Sequence, residues 1–536
     1  MKKKKPIIRL LVLFVPVFIQ ISSFAQEVIT ADNDARIMSE VGSYWVIDNG
    51  AFTLFSPNSA TPVTMANLKI ESGTSLSIAP QSFLTINGTL TNSGTLTIQS
   101  SSSGTGSLIH NTENITGIMQ RFIPAATWED KKDGWHFLSS PVADYQIATN
   151  FTVVPASDYD FYAWSQPDNL WVNYKDGTNP TFAGVNGSTA FKLGHGYMAA
   201  YKTEATKAFA GYLNVSDVLV SNLAISSVSN NGWHLLGNPY SAALIWDATT
   251  DWNKTNIGGV ANLWNEEGQS YTPISAGGII PSENGFMVQA SGGIGSLNIP
   301  AAKRTHNAQA WYKNSGYPVI QLFAVNLVDS SFQESQIRFN PEATVGFDIE
   351  HDGRFLSGYA PLFYSVSAGE NLMVNSLPES SAETVIPFNF IKNEGSNFAI
   401  EAKGIETLDP AATVYLKDNK LRINHNLSEN PVYKFTSTVS DIPNRFELRF
   451  GTVGIYDLPV AQSINAWVYN NMLYVHNPDG ITRIEVFDLI GQRLLSTQLS
   501  SIGLQSLPLH QLIGLYFIRL SRNGKTQIIK ANLNLN

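Results

Sequence analysis

The chain has 536 residues, of which 43% are hydrophobic, 14% are charged and none is Cys, and its formal net charge is −9; that length divides into roughly three to four domains. Residues 1–25 hold five of the 34 basic residues and no acidic one, so 29 basic groups face 43 acidic ones beyond them, about −14, which leaves no basic excess for phosphate contacts and argues against nucleic acid as a partner. The lack of Cys excludes disulfides, thiolate metal sites and Cys nucleophiles, and so sparse a charge with so many apolar residues excludes a solvated disordered chain.

Residues 1–25 read as a secretory signal peptide. Lys2 to Lys5 and Arg9 form a positive start, Leu10 to Ile19 an apolar run, and Ser23 and Ala25 a small-residue cleavage site ahead of Gln26. A membrane anchor is the alternative, but the run is too short for about 30 Å of hydrocarbon and Pro16 interrupts it. No later segment has 18 consecutive apolar residues, so the mature chain is expected to carry no transmembrane helix.

Beyond the signal the pattern is all-β and multi-domain: short alternating runs of Val, Ile, Leu, Thr, Phe and Tyr broken by Asn, Gly, Ser and Pro. Residues 26–118 form a β-solenoid-like repeat region. Leu68, Leu76, Leu84, Leu90 and Leu96 recur every six to eight residues, mostly followed two positions later by Ile. One such unit cannot bury its apolar face, so stacked neighbours are the favoured solution, with a meander of hairpins as the alternative. Asn87-Gly88 and Asn92-Ser93-Gly94 supply the corners, where positive φ is expected.

Residues 119–300 read as a duplicated β domain. GWHFLSSPV from Gly134 returns as GWHLLGNPY from Gly232; Trp164 and Trp171 are spaced like Trp264 and Tyr271; Gly196-Tyr197-Met198 matches Gly285-Phe286-Met287. The stretch before the last landmark is about 11 residues longer in the first copy. Residues 301–452 carry dense alternation with a turn about every ten residues, which predicts an antiparallel β-sandwich. A linker is expected over 453–463 and a small Ig-like sandwich over 464–536.

This last segment resembles the C-terminal sorting domain, type A-like, of proteins exported by the type IX (Por) secretion system. The resemblance lies in EVFDLIGQRLL (Glu485 to Leu495), with Asp488 and Gly491 in its turn, in GLYFIRL, with Gly514 and Tyr516, and in the basic closing strand around Lys525 and Lys530. Residues 301–452 also resemble a domain that often precedes such sorting domains, in Phe339 to Phe355, Glu370 to Pro378 and Arg445 to Phe450; no motif assigns the cargo region to a named family. The resemblance implies export to the periplasm, reading of residues 464–536 by the outer-membrane translocon, and then anchoring to surface lipopolysaccharide or release. The expected location is therefore extracellular or at the outer-membrane surface.

Motifs for chemistry are sparse. There is no His-Glu-x-x-His, no Gly-x-Ser-x-Gly and no phosphate loop. His136 and His234 each follow a Trp in a repeated motif, which makes them twin ligands or, more simply, twin core residues. Asp32/Asp34, Glu129/Asp130/Asp133 and Asp158/Asp160 are weak candidates for Ca²⁺, and no other cofactor is expected. Trp164, Trp171, Trp264 and Tyr271 sit in polar surroundings where flat rings stack on sugars, or else plug the ends of each copy. The sequence thus favours a non-catalytic structural or adhesin-like protein, with an extracellular glycan binder and a secreted hydrolase of unrecognised site as alternatives.

Overall fold

The computed structural model describes residues 26–28, 44–56, 61–128, 134–226, 232–246, 251–307, 318–379, 381, 384–408, 412–452, 465–469, 472–477, 482–488, 491–500, 503–509, 514–522 and 525–533. The signal peptide, the 453–463 linker, Asp32/Asp34 and Glu129/Asp130/Asp133 lie outside them. Two compact units divide between Val453 and Gly454.

The first unit begins with three ladders of parallel strands. One joins Gln26–Val28, Tyr44–Ile47, Asn67–Ile70 and Leu90–Asn92; a second joins Ala51–Leu54, Ser75–Ile78 and Thr95–Ile98; a third joins Val63–Met65, Phe83–Ile86 and Ser107–Ile109. The chain visits the ladders in turn, and the offset between paired residues runs from 18 (Gln26 with Tyr44) through 20 (Ser75 with Thr95) to 24 (Ala51 with Ser75), so the coils differ in length by a few residues. Each Leu-x-Ile unit of the sequence is one face of a three-faced coil. The parallel register excludes the hairpin meander, whose neighbouring strands run antiparallel. Leu68, Ile70, Leu76, Ile78, Leu84 and Ile86 are each at most 1% exposed. Burying each is worth about 1.5–3 kcal/mol, a gain open to a coil only when another coil stacks on it.

The corners differ from expectation in their physics. Positive φ falls on Gly50 and Gly73, not on Gly88 or Gly94. A side chain on Gly88 would instead strike the Ala66 carbonyl, and one on Gly94 would strike the carbonyls of Thr74 and Glu71. Those two glycines serve the close approach of successive coils.

Strand Thr116–Ile123 continues the second ladder by pairing in parallel with Thr95–Ile98, and its other edge pairs antiparallel with Ala205–Tyr212. A boundary at residue 118 or 119 therefore falls inside a strand. One apolar core runs from Trp45 through to Leu213, so the solenoid and the first copy are fused without a seam.

The duplication is visible strand by strand. In the first copy the sheet order is His136–Leu138, Tyr197–Tyr201, Tyr159–Ser165, Leu170–Asn173; in the second it is Trp233–Gly237, Gly285–Gln289, Ala261–Asn265, Ser270–Ile274. In both, the first strand lies beside the fourth and the second and third form an outer hairpin. Trp164 pairs with Trp171 across that hairpin, as Trp264 does with Tyr271. Gly134 and Gly232, which open the repeated motif, both have left-handed φ of +72° and +64°, a conformation that favours glycine. The copies meet about a pseudo-twofold: Ser139 N–H donates to the Glu283 carbonyl at 2.9 Å, and Gly237 N–H donates to the Gly194 carbonyl at 3.0 Å. These are the same two positions in the same roles, with the copies exchanged.

The following domain is one continuous eleven-stranded sheet. It includes a single parallel pair among its described strands, Phe332–Phe339 with Glu370–Leu377. The sheet curls until its halves face each other over one core, with Phe390 and Phe446 from one half against Phe398 and Phe435 from the other. Arg445 lies 4.6 Å and 5.1 Å from the ring centres of Phe435 and Phe446 and pairs with the fully buried Asp418 at 2.7 Å. A buried ion pair of this kind is costly to break from one side, because the partner is left charged and unpaired.

The second unit, Gly454–Asn536, has two antiparallel sheets. One joins Asn465–Tyr469, Met472–Asn477 and Gly503–Pro508; the other joins Arg493–Leu499, Thr482–Phe487, Gly514–Arg522 and Lys525–Leu533. Leu473, Val475, Ile484, Val486, Ile518 and Leu520 fill the core between them. Among the described residues no helix is long and apolar enough to cross a membrane.

Candidate functional site

The four aromatic candidates converge, but on one another. Trp164, Trp171, Trp264 and Tyr271 belong to one cluster between the copies, gathered around Phe137 with Trp233, Leu235 and Met287. Phe137 has ring centres at 5.8 Å from Trp171, 6.2 Å from Trp264 and 5.9 Å from Tyr271. Trp164 also donates its indole N–H to the Trp233 carbonyl at 2.7 Å, which ties the first copy's hairpin to the second copy's first strand. Such edge-to-face and offset contacts add about 0.5–1.5 kcal/mol per pair to the burial itself.

The two hairpins then part company. All five residues of Ser270–Ile274 are buried, because the eleven-stranded sheet covers them. Phe332 N–H donates to the Gly268 carbonyl at 3.0 Å, Ser270 Oγ donates to the Phe332 carbonyl at 2.6 Å, and Tyr359 N–H donates to the Gln269 carbonyl at 2.9 Å. The equivalent strand Leu170–Asn173 is an edge strand with Leu170 exposed and Trp171 and Asn173 half-buried. Beside it lies a groove of about 510 Å³ lined by Tyr162, Trp171, Asn173, Lys175 and Asp176, with Thr178, Asn179 and Pro180 as its outer wall. This wall belongs to the stretch that is longer in the first copy.

Local bonds set the groove's shape and charge. Lys175 Nζ lies 2.9 Å from Asp160 Oδ1 and donates to the carbonyls of Ala156 and Tyr159 at 2.9 Å and 2.5 Å, so its charge is spent. Asn173 Nδ2 donates to Asp160 Oδ1 at 2.8 Å, and its own oxygen accepts the Lys175 N–H at 3.0 Å. Asp176 Oδ1 accepts the N–H and hydroxyl of Thr178 at 2.9 Å and 2.8 Å, which holds its carboxyl below the usual range. Burial pushes the Tyr162 hydroxyl up. Asp176 Oδ2 and the Asn179 side chain have no hydrogen-bond partner among the described residues.

The remaining candidates lie apart from this groove or on its margin. His136 is buried and its Nδ1 bonds Glu266 Oε1 at 2.5 Å, whereas His234 bonds the Ala224 carbonyl through Nε2 at 2.9 Å. The twin His are thus fastened by different partners. Asp160 faces Lys175, and Asp158 lies 3.6 Å from Lys202; among the described residues no three His or carboxylate groups gather as a metal site. In the second unit, Gly491 has φ +85°, its N–H donates to the Asp488 carbonyl at 3.2 Å, and Asp488 Oδ1 accepts the Gln492 N–H at 2.8 Å, closing the turn that the sequence marks. Gly514 has φ +113° and Tyr516 packs half-buried on the core; Lys530 pairs in register with Phe517.

Sequence reading missed Glu283. It takes the place that Gly194 holds in the first copy, is wholly buried, and neither carboxylate oxygen has a partner among the described residues. Burial pushes its carboxyl up to about 8, with Arg121 pulling the other way. The signal was present in the sequence, as a Glu aligned with a Gly in a conserved-looking repeat, but alignment alone does not show which of the two is inside.

Solenoid, pseudo-twofold pair and curled sheet define a modular all-β protein whose first unit is built around contiguous cores. The chain belongs to the family described as "Domain of unknown function (DUF8693)", whose profile matches residues 44–276 and 264–450. The two matched segments meet in the second copy's hairpin, around Trp264 and Tyr271. No curated protein matches the chain. A solved structure named "Biofilm associated protein - BSP domain" matches at 10% identity over 80% of this chain and 97% of that one, with a TM-score of 0.15, a value at which the likeness carries no argument.

Proposed function

We propose that the chain is an exported, non-catalytic β protein that acts at the cell surface as an adhesin-like display body. The observation that carries this reading is the fusion of its parts. One core crosses from solenoid to first copy, a second joins the two copies, and Met373 of the eleven-stranded sheet enters that same aromatic cluster. Such a body resists bending between modules, as a surface scaffold must. The separate compactness of Gly454–Asn536 and its Asp488–Gly491 turn support the type IX sorting role for residues 464–536, since a sorting tag must fold on its own at the end of its cargo.

Two experiments test the two halves of this reading. Deleting residues 464–536 should leave the protein in the periplasm, and normal surface delivery of the truncated chain would overturn the sorting role. The delivered protein should bind cells or matrix saturably; inert behaviour against every surface would overturn adhesion.

A further inference from the structure

We propose that the groove of the first copy binds a short stretch of neutral polysaccharide, with Tyr162 and Trp171 as the ring platform and Asp176 and Asn179 bonding the sugar hydroxyls. This deepens the surface reading above and names its site. Three observations carry it.

The first is the divergence of the copies. They share strand order and cross-strand aromatic pair, and the third strand of each is the edge of its sheet, yet the second copy's edge strand is buried whereas the first copy's stays open beside a wall that the second copy lacks. The second is chemistry. Half-buried rings beside hydrogen-bonding groups are what a sugar face requires, and Asp176 Oδ2 and the Asn179 amide are not consumed by the fold among the described residues. The third is charge. Lys175 is held by Asp160 and two carbonyls, so the groove offers no free cation to a sulfate, phosphate or uronate, and Asp176 repels them. Its volume of about 510 Å³ lies within the 300–1,000 Å³ of small-ligand sites.

The test titrates the full chain with cellotetraose, maltotetraose, mannotetraose and xylotetraose, by calorimetry and tryptophan fluorescence. A heparin tetrasaccharide and an unrelated extended peptide serve as comparators. At least one neutral tetrasaccharide should bind saturably at one site per chain. Trp171→Leu should weaken it at least tenfold and Asn179→Ala at least threefold, whereas Trp264→Leu should leave it within twofold. Asn179 is exposed, so its variant keeps the result readable even if Trp171→Leu fails to fold. Saturation by none of the four sugars, indifference to Asn179→Ala in a folded chain, or binding of the heparin fragment or peptide alone would each overturn the proposal. An exported chain that binds none of the sugars would sink the groove and leave the sorting role standing, whereas a sugar-binding chain that reaches the surface without residues 464–536 would do the reverse.

Discussion

The two copies of the duplicated domain use one strand plan to opposite ends. In the second, the hairpin that carries Trp264 and Tyr271 is an interior wall, shut between Phe137 on one side and the Phe332 and Tyr359 segments on the other. In the first, the hairpin of Trp164 and Trp171 joins the same cluster, and its edge strand Leu170–Asn173 opens to a groove. Duplication supplies two equivalent aromatic pairs, but what covers each pair decides whether it becomes core or surface. The difference also shows where symmetry had to be given up. Ser139 and Gly237 are equivalent, and the Ser139 side chain occupies the space that a side chain on Gly237 would need.

That position gives the largest expected effect. Gly237→Ser restores identity between the copies and drives two β-carbons and the His195 carbonyl together, so it should cost about 3 kcal/mol or more, at the upper end of overpacking. Urea unfolding would show it as a fall in midpoint. Ser139→Gly, the opposite way to equalise the pair, should cost about 1–2 kcal/mol, since it gives up a hydroxyl bond to the Asn238 carbonyl.

Glu283 against Gly194 is the second asymmetry. Its carboxyl is raised to about 8 in the fold, so the folded state holds the proton more tightly than the unfolded chain does. Its contribution is intact below about 4.5 and is lost as pH rises toward 8 and beyond. Glu283→Gln should therefore flatten the fall in stability between pH 5 and pH 8, with a gain on the order of 3 kcal/mol at the alkaline end. The buried His110 and the half-buried His195 and His306 are lowered to about 4 by desolvation and weaken the fold on the acid side instead, so the variant minus wild-type difference isolates Glu283. Parallel pH curves for the two proteins would contradict the assignment.

The smallest effect is at Glu266, whose counterpart in the first copy is Gln166. Glu266→Gln keeps a partner for His136 Nδ1 and should change stability by less than about 1 kcal/mol, measured in the same unfolding assay. A larger loss would mean that the His136–Glu266 contact fastens the copies more than its half-exposed carboxylate suggests.

Most of the scaffold was legible because it repeats. Leu68, Leu76 and Leu84 reveal a period, and GWH twice reveals a copy, without any knowledge of contacts. Gly88 and Gly94 were legible as corners but not as to cause, because a left-handed residue and a close approach between coils look alike in sequence. The join at Thr116–Ile123 was hidden, since a strand shared by a parallel ladder and an antiparallel pair carries the same alternation as any other. The groove was half legible. Trp171 and the longer loop were both in view, but that Tyr271 is covered and Trp171 is not depends on Phe332 and Tyr359, some sixty to ninety residues further on, and long-range packing of that kind leaves no local signature.

The comparison itself is most directly tested by measuring Tyr271→Ala and Trp171→Ala side by side in urea. Tyr271 is 6% exposed and closed in by two domains, so its truncation should cost about 3–4 kcal/mol. The larger ring of Trp171, half open to the groove, should cost only about 1–2 kcal/mol. Equal losses at the two positions, or a greater loss at Trp171, would contradict the division of the copies into an interior hairpin and a surface one.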